Sequence, residues 1–517
     1  MSFSVKSKAL KARELSYEGF SQVYVETDII VPDVKPDILK ILHTDMRPVV
    51  TSCRRQNSKL LVDGEIYCCI VYLTEDSAVK SINTVQSFNH AVNIDSAQED
   101  TSVFVQCQME STEHKLINSR KFSLKALVGL DISAERMLNF DVPTDIEDDE
   151  NSCFALKNPF KTYSRLKVGE NRFSFKESLE VPSGKPDIAE LISVNVSAQE
   201  TDCRVTGSKL MLQGKCMVHS LYCTGDSFGI EHMEHEFTFS EVIELSCDCS
   251  ENSNFTVELT VAEIGSVVLE NSDGDSRVLL VEPNVVAVVK CDYSLESDFI
   301  TDIYSTKKEI GIERKKVILS ELAEEGKVQI SIKDTLTQTE NFEISKVYNV
   351  SARPHLSGAR YESSRVLIEG VLDAEIMCIT NDSSNPVCSI FKEIPFSHVM
   401  EAGLYPDDVV CDVDLFTDHI SYNMNLGSEV DLRAVVTANV KIIRKQPFEY
   451  IVDIKEGELQ EADCSNGYYI RVYFVSNGDT FWNIAKRYRV TVDDIMRING
   501  LECNQELKPG QKIVIPF

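Results

Sequence analysis

Cys247-Asp248-Cys249 brings two thiols one residue apart, the nearest approach this chain makes to a metal-binding pair. Zinc needs two further Cys or His ligands that fold back on such a pair, and none stands at zinc-finger spacing from it. The sixteen cysteines are scattered through apolar runs, as at Cys68-Cys69 and Cys378. A disulfide scaffold is short and cysteine-dense, so these read as reduced, mostly buried thiols. Asp273-Gly274-Asp275 lacks the spacing and closing glutamate of an EF-hand and reads as a hairpin turn. The nine histidines stand singly, as at His43, His114 and His398; a Cys-His or Ser-His pair would have to be made by the fold. There is no G-x-x-x-x-G-K-[ST], G-x-S-x-G or H-E-x-x-H, and no G-x-G-x-x-G opening a helix. The expectation is a non-enzymatic chain without metal or cofactor.

Charge narrows the partners. With 82 acidic against 52 basic side chains the formal charge is −30, which disfavours phosphate backbones and anionic membrane surfaces; nucleic acid is not an expected partner. The composition, 43% apolar and 26% charged, is that of a folded protein. At roughly 100 to 200 residues per domain, 517 residues imply several cores. The N-terminal MSFSVKSKALKARELSYEGF lacks the apolar stretch of a secretory signal, and no run approaches the length of a transmembrane span. An uncleaved cytosolic protein is expected.

Self-similarity organises most of the chain. Lys35-Pro36-Asp37-Ile38 returns as Lys185-Pro186-Asp187-Ile188, a shift of 150, and in the same register Cys53 meets Cys203, Ser58-Lys59-Leu60 meets Ser208-Lys209-Leu210, Gly64 meets Gly214 and Tyr72 meets Tyr222. A third copy lies 306 residues after the first: Arg47-Pro48 returns as Arg353-Pro354, Ser58 as Ser364, Gly64 as Gly370 and Thr74 as Thr380, while the KPDI box has decayed to Asn341-Phe342-Glu343-Ile344. An aromatic mark follows in each copy, at Phe88, Phe239 and Phe396. Stretches such as Leu60–Tyr72 alternate, are rich in β-branched and aromatic residues, and carry a glycine where a strand could bulge or bend. Three tandem antiparallel β-rich domains are expected, at 15–150, 165–310 and 325–445, each large enough to bury its own core. Eight residues around KPDI are compatible with a helical turn or a strand.

After Lys445 six acids and one base occupy 446–470, which reads as an acidic linker. Residues 471–517 then parse as strand, helix, helix, strand. Asp479 or Thr480 can cap a first helix whose Phe481, Ile484, Ala485 and Tyr488 share one face. Thr491-x-x-Asp494 opens a second helix, stopped by Asn499-Gly500. Tyr473–Ala485, Asn499 and Leu507–Pro516 resemble the LysM domain, a small α+β (βααβ) module that binds N-acetylglucosamine polymers. The resemblance implies a groove walled by Gly478, Asp479, Thr480 and Phe481 on one side and by Leu507, Lys508, Pro509 and Gly510 on the other. The glycines and Asp479 equally suit a turn and a cap, and Phe481 a core position. Trp482, the chain's one tryptophan, lies beside the core face and suits a surface anchor or packing.

The repeats look like the SPOCS-type domain of spore coat morphogenetic proteins, which act from the mother-cell cytoplasm at the forespore surface and can end in a LysM domain. That resemblance implies a multidomain, mainly β adaptor whose LysM domain binds the coat's basement-layer ATPase, stage IV sporulation protein A; other coat proteins or a second copy are further expected partners. Residues 471–517 carry seven basic and five acidic side chains, +2 against −32 on the rest, a polarity that favours one docking orientation. Trp482, Lys486 and Arg489 on the first helix are the expected protein interface. The alternative is a cell-wall protein that holds peptidoglycan or another N-acetylglucosamine polymer.

Overall fold

The computed structural model describes residues 3–94, 101–148, 152–225, 229–246, 254–337, 343–406, 408–425, 429–459, 471–501 and 507–516. The first unit comprises β1 (Phe3–Ile30), β2 (Lys40–Gln56), β3 (Lys59–Leu73), β4 (Val79–Asn93), β5 (Thr101–Asn118) and β6 (Lys121–Asp148). The second has β7 (Cys153–Ser174), β8 (Glu177–Glu180), β9 (Glu190–Thr206), β10 (Lys209–Cys223), β11 (Ile230–Glu244), β12 (Asn254–Leu269) and β13 (Val278–Ser305). The third has β14 (Lys308–Thr337), β15 (Ile344–Glu362), β16 (Arg365–Thr380), β17 (Val387–Glu401), β18 (Val410–Met424) and β19 (Glu429–Leu459). Two antiparallel sheets make each unit, ordered β1-β6-β5 and β2-β3-β4 in the first, with β12-β13-β7 and β11-β10-β9, then β14-β19-β18 and β15-β16-β17, in the others. In the second unit β8 continues the line of β7 along β13.

The middle strand of each smaller sheet alternates because one of its faces is a core: Leu60, Val62, Ile66, Cys68, Ile70 and Tyr72 of β3 are all buried against the other sheet. Two-residue loops at Asn57-Ser58, Gly207-Ser208 and Ser363-Ser364 start these strands, with φ of +55°, +61° and +51° at their first residues, the left-handed turn that matches strand twist. The repeated glycine and the repeated phenylalanine turn out to be one device. Gly64 stands opposite Phe88, Gly214 opposite Phe239 and Gly370 opposite Phe396, and each ring lies over its glycine where a Cβ would be. The strand on the glycine's other side bulges at that level in all three units, at the extra residues Thr51, Thr201 and Ser357. The glycine admits the ring, and the bulge bends the sheet around it.

The KPDI box is neither helix nor strand. It is the turn from the first long strand to the smaller sheet, and an arginine before the central long strand holds it. The Arg120 guanidinium donates to Val31 O, Pro32 O and Lys35 O and to Asp37 Oδ1 at 2.7–3.1 Å; Arg277 makes the same set to Val181, Pro182, Lys185 and Asp187. Tyr72 and Tyr222 each donate to the box proline's carbonyl. The third copy has Cys378 at the tyrosine position and Ser428 at the arginine position, so box, arginine and tyrosine are absent from it together; Asn341, Phe342 and Ser428 lie outside the described residues.

Domain limits are wider than expected. Each unit opens and closes with long strands of up to 31 residues, so the first starts at Phe3, the second at Cys153 and the third at Lys308. The expected linker at 446–470 is corrected in its first half: residues up to Leu459 continue β19 and pair with β14, while 460–470 lie outside the described residues, as does Cys247-Asp248-Cys249. Asp273-Gly274-Asp275 does form the β12–β13 turn, where Asn271 Oδ1 accepts from Asp273 N and Asp275 N. Among the described cysteines none is in a disulfide.

The three units meet in three clusters. At one end the repeat-equivalent residues Val71, Leu221 and Met377 share an apolar cluster, framed by Lys80–Glu190 and Glu231–Lys346 ion pairs. Further along, the long strands gather Leu10, Val142, Phe299, Leu319, Phe448 and Tyr450 into a second cluster, and Phe3, Ile300, Ile303, Ile451 and Ile454 into a third. Between units two and three, buried Lys441 pairs with Asp292, and Arg165 lies 3.1 Å from Asp292 and 2.7 Å from Asp414; charges at such burial persist because they are paired. Gly214→Ala should destabilise the second unit by about 1–3 kcal/mol, because the added methyl meets Phe239 and stands 2.9 Å from Gln199 O. Chemical denaturation followed by circular dichroism checks it, and an unchanged midpoint would remove the glycine–ring device.

Candidate functional site

The terminal module pairs β20 (Arg471–Phe474) with β21 (Lys512–Ile515) and places α1 (Phe481–Tyr488) and α2 (Val492–Asn499) between them. Thr480 caps α1, its hydroxyl accepting from Asn483 N, and Thr491 caps α2 by accepting from Asp494 N. Gly500, at φ +62°, ends α2. Asn499 ties that end to β21, donating to Ile495 O and Val514 O and accepting from Val514 N, each at 2.7 Å.

The two turns expected to wall a groove do lie side by side, and Val475 joins them: its carbonyl accepts from Gly510 N at 2.8 Å and its N–H donates to Gln511 O at 2.9 Å. Gly478 and Gly510 adopt φ of +88° and +81°, with open space where a side chain would be. Lys508 and Pro509 are exposed beside them, and Lys508 N donates to Gln511 Oε1. Asp479 acts on the turn itself. Its Oδ2 accepts from Ser476 N and Tyr473 OH at 2.7 Å, bonds that hold its carboxyl below the usual range. Phe481 and Leu507 pack partly into the module's core of Val475, Ile484, Ala485, Ile495, Ile513 and Ile515. Gly478, Thr480, Lys508, Pro509 and Gly510 thus present the open surface, and Asp479, Phe481 and Leu507 support it.

Trp482, Lys486 and Arg489, expected to meet an outside protein, contact this chain's own body in the structure. The Trp482 indole donates to Asp302 Oδ2 at 2.8 Å, and the Lys486 ammonium lies 2.6 and 2.8 Å from the two oxygens of that carboxylate. Arg314 supports Asp302 from the body side at 2.9 Å. Tyr304 is 4% exposed; its ring meets Trp482 edge-on at 4.8 Å, its hydroxyl donates to Val490 O, and Phe154 stacks behind it. Arg489 reaches Glu309 at 3.4 Å. Sequence reading missed Asp302, Tyr304, Phe154 and Glu309, which sit at strand ends with no motif to mark them. A module this small gains stability from such borrowed packing: Tyr304 is buried in the same cluster as the module's own core.

Burial pushes the Asp302 carboxyl up, yet the bonds from Lys486 and Trp482 outweigh it and leave it below its ordinary value. Burial also pushes the Tyr304 phenol up to about 12. No group of His, Cys, Asp and Glu able to hold a metal occurs among the described residues, and no described helix is long and apolar enough to cross a membrane.

Fold and site together define a class, a trio of β sandwiches that carries a LysM module at one end. Comparison with known proteins makes the assignment. The family model for the LysM domain matches residues 473–516, and that for the SipL, SPOCS domain matches 37–117, 187–269 and 343–425. The chain carries three SipL SPOCS domain repeats followed by a C-terminal LysM domain. Each SPOCS match starts within or at the KPDI-box position and ends with the strand before the central long strand, so the long outer strands lie largely beyond it. The domain set fits a sporulation coat-associated protein, and both families are binding or scaffold domains. The chain is also similar to the uncharacterized protein YkzQ of Bacillus subtilis (strain 168), 43% identical over 44 residues, which are 8% of this chain and 57% of that relative. No solved structure matches.

Asn499→Ala removes three bonds at once and should destabilise the module by roughly 2–3 kcal/mol, read as earlier loss of Trp482 emission order in thermal unfolding of the full chain. Because the docked Asp302 carboxyl is held low, its contribution to docking is complete above the ordinary aspartate value near about 3.9 and fades as pH falls through the docked value. Trp482 emission should therefore shift to the red on acidification. Asp479 titrates low as well, so the transition should be absent from Asp302→Asn if docking is its source.

Proposed function

We propose that this chain is a non-enzymatic adaptor in spore coat assembly, whose LysM domain binds the basement-layer ATPase, stage IV sporulation protein A, and helps it encase the forespore from the mother-cell cytoplasm. The observation that supports this reading is the use of the α1 face: Trp482 and Lys486 already grip a carboxylate and a phenol ring of protein origin. Trp and Arg are the residues that anchor protein interfaces. A module of charge +2 on a body of −32 orients encounter with an acidic partner surface.

Deleting 471–517 should abolish co-purification with the ATPase from sporulating cells and disperse the ring of a fluorescent fusion around the forespore. Co-purification that survives the deletion would defeat the docking role. The open turns at Gly478 and Gly510 keep the glycan reading in view. Titration of the full chain with N-acetylglucosamine oligomers separates the two: saturation well below about 1 mM would favour peptidoglycan attachment.

A further inference from the structure

We propose that the docked LysM domain is latched: the Asp302–Tyr304 segment of the second unit occupies the α1 face and must leave before an outside protein can use Trp482 and Lys486. The latch rests on the adaptor reading above and describes how that site is regulated. The indole carries one N–H, and Asp302 holds it at 2.8 Å; the Lys486 ammonium is committed to the same carboxylate, 2.6 and 2.8 Å from its two oxygens. Tyr304 covers the indole edge and closes the α1–α2 corner through its bond to Val490 O. An outside partner and the body therefore compete for one set of donors. The partner that fits is a protein surface presenting an Asp or Glu beside an aromatic ring, the pair that Asp302 and Tyr304 present internally.

The contact is built to be exchanged. It includes one carboxylate, the Tyr304 ring backed by Phe154 and one end-on hydrogen bond, with a rim pair in which the Glu309 side chain is 69% exposed and which adds little in water. Among the described residues Tyr304 is the one buried member that the body lends to the cluster of Val475, Ile484, Ala485, Ile495, Ile513 and Ile515, with Phe154 packed against it, so release costs the module the packing of that ring, while the other buried members are its own. The joints among the three units bury whole clusters of long-strand residues and have no such economy. Eleven residues, 460–470, tether the module, at most about 40 Å of chain, so an undocked module stays near its seat and the closed state is favoured by proximity. A partner then meets an apparent affinity reduced by the open fraction.

Asp302→Asn and Asp302→Lys in the full chain test this, with circular dichroism confirming the sandwich fold. Trp482 is the chain's single tryptophan and reports docking directly. Both variants should show red-shifted emission in the absence of any partner and bind the purified ATPase about tenfold more tightly than the unaltered chain, the factor expected if roughly a tenth of molecules are open at rest. Unchanged emission in both variants would overturn the latch. Released emission with unchanged ATPase affinity would overturn the competition and leave the adaptor reading standing. Absence of binding by all three chains would overturn the adaptor reading, and the latch's role with it.

Discussion

One strand in each unit has to face two different cores, and the architecture follows from that. β6, β13 and β19 run down the middle of their larger sheets, where alternate side chains such as Val128, Val289 and Val436 are buried inside a unit. They then continue until Val142, Phe299 and Tyr450 are buried between units. A strand that belongs to a sandwich along one stretch and to a three-way stalk along the next cannot move relative to either. A fixed spacing among the three unit-to-unit clusters results, and the terminal module is seated where the stalk ends.

The device that shapes each unit is local. A glycine under a phenylalanine ring, with a bulged Thr or Ser across the sheet, bends the smaller sheet over the larger one, and it survives in all three copies. The arginine-held turn does not. Its parts depend on one another: without the guanidinium the turn's carbonyls lose their donor, and without the box the half-buried arginine would lose its acceptors. The third unit has neither the box nor the arginine nor the tyrosine, as such mutual dependence requires.

Placement of the LysM module changes what its surface means. The turns around Gly478 and Gly510 remain open, whereas the α1 face is already engaged by a carboxylate and a phenol from the body. The module has two separate faces with different chemistry, one of exposed backbone and one of aromatic and cationic side chains. A chain in which the second face is occupied internally can be assembled, held inactive and opened.

Repeat spacing, the antiparallel β class, a first helix cap at Asp479 or Thr480 and a second at Thr491 were legible in order alone, because each depends on neighbours within a few residues or on a pattern stated three times; the structure gave the first cap to Thr480. Gly64 and Phe88 were both visible as marks, but their meeting was not, since register across a hairpin decides it. The long outer strands were hidden because their far halves alternate weakly: Ser320–Glu325 holds three acidic residues and none of its side chains is fully buried. Asp302 and Tyr304 gave no sign of a role. Their chemistry exists only because the tertiary fold ends β13 beside a helix some 180 residues later, and no local rule links a carboxylate to a lysine across such a distance. Local preferences are written residue by residue, whereas the identity of a buried charge's partner is a property of the packed whole.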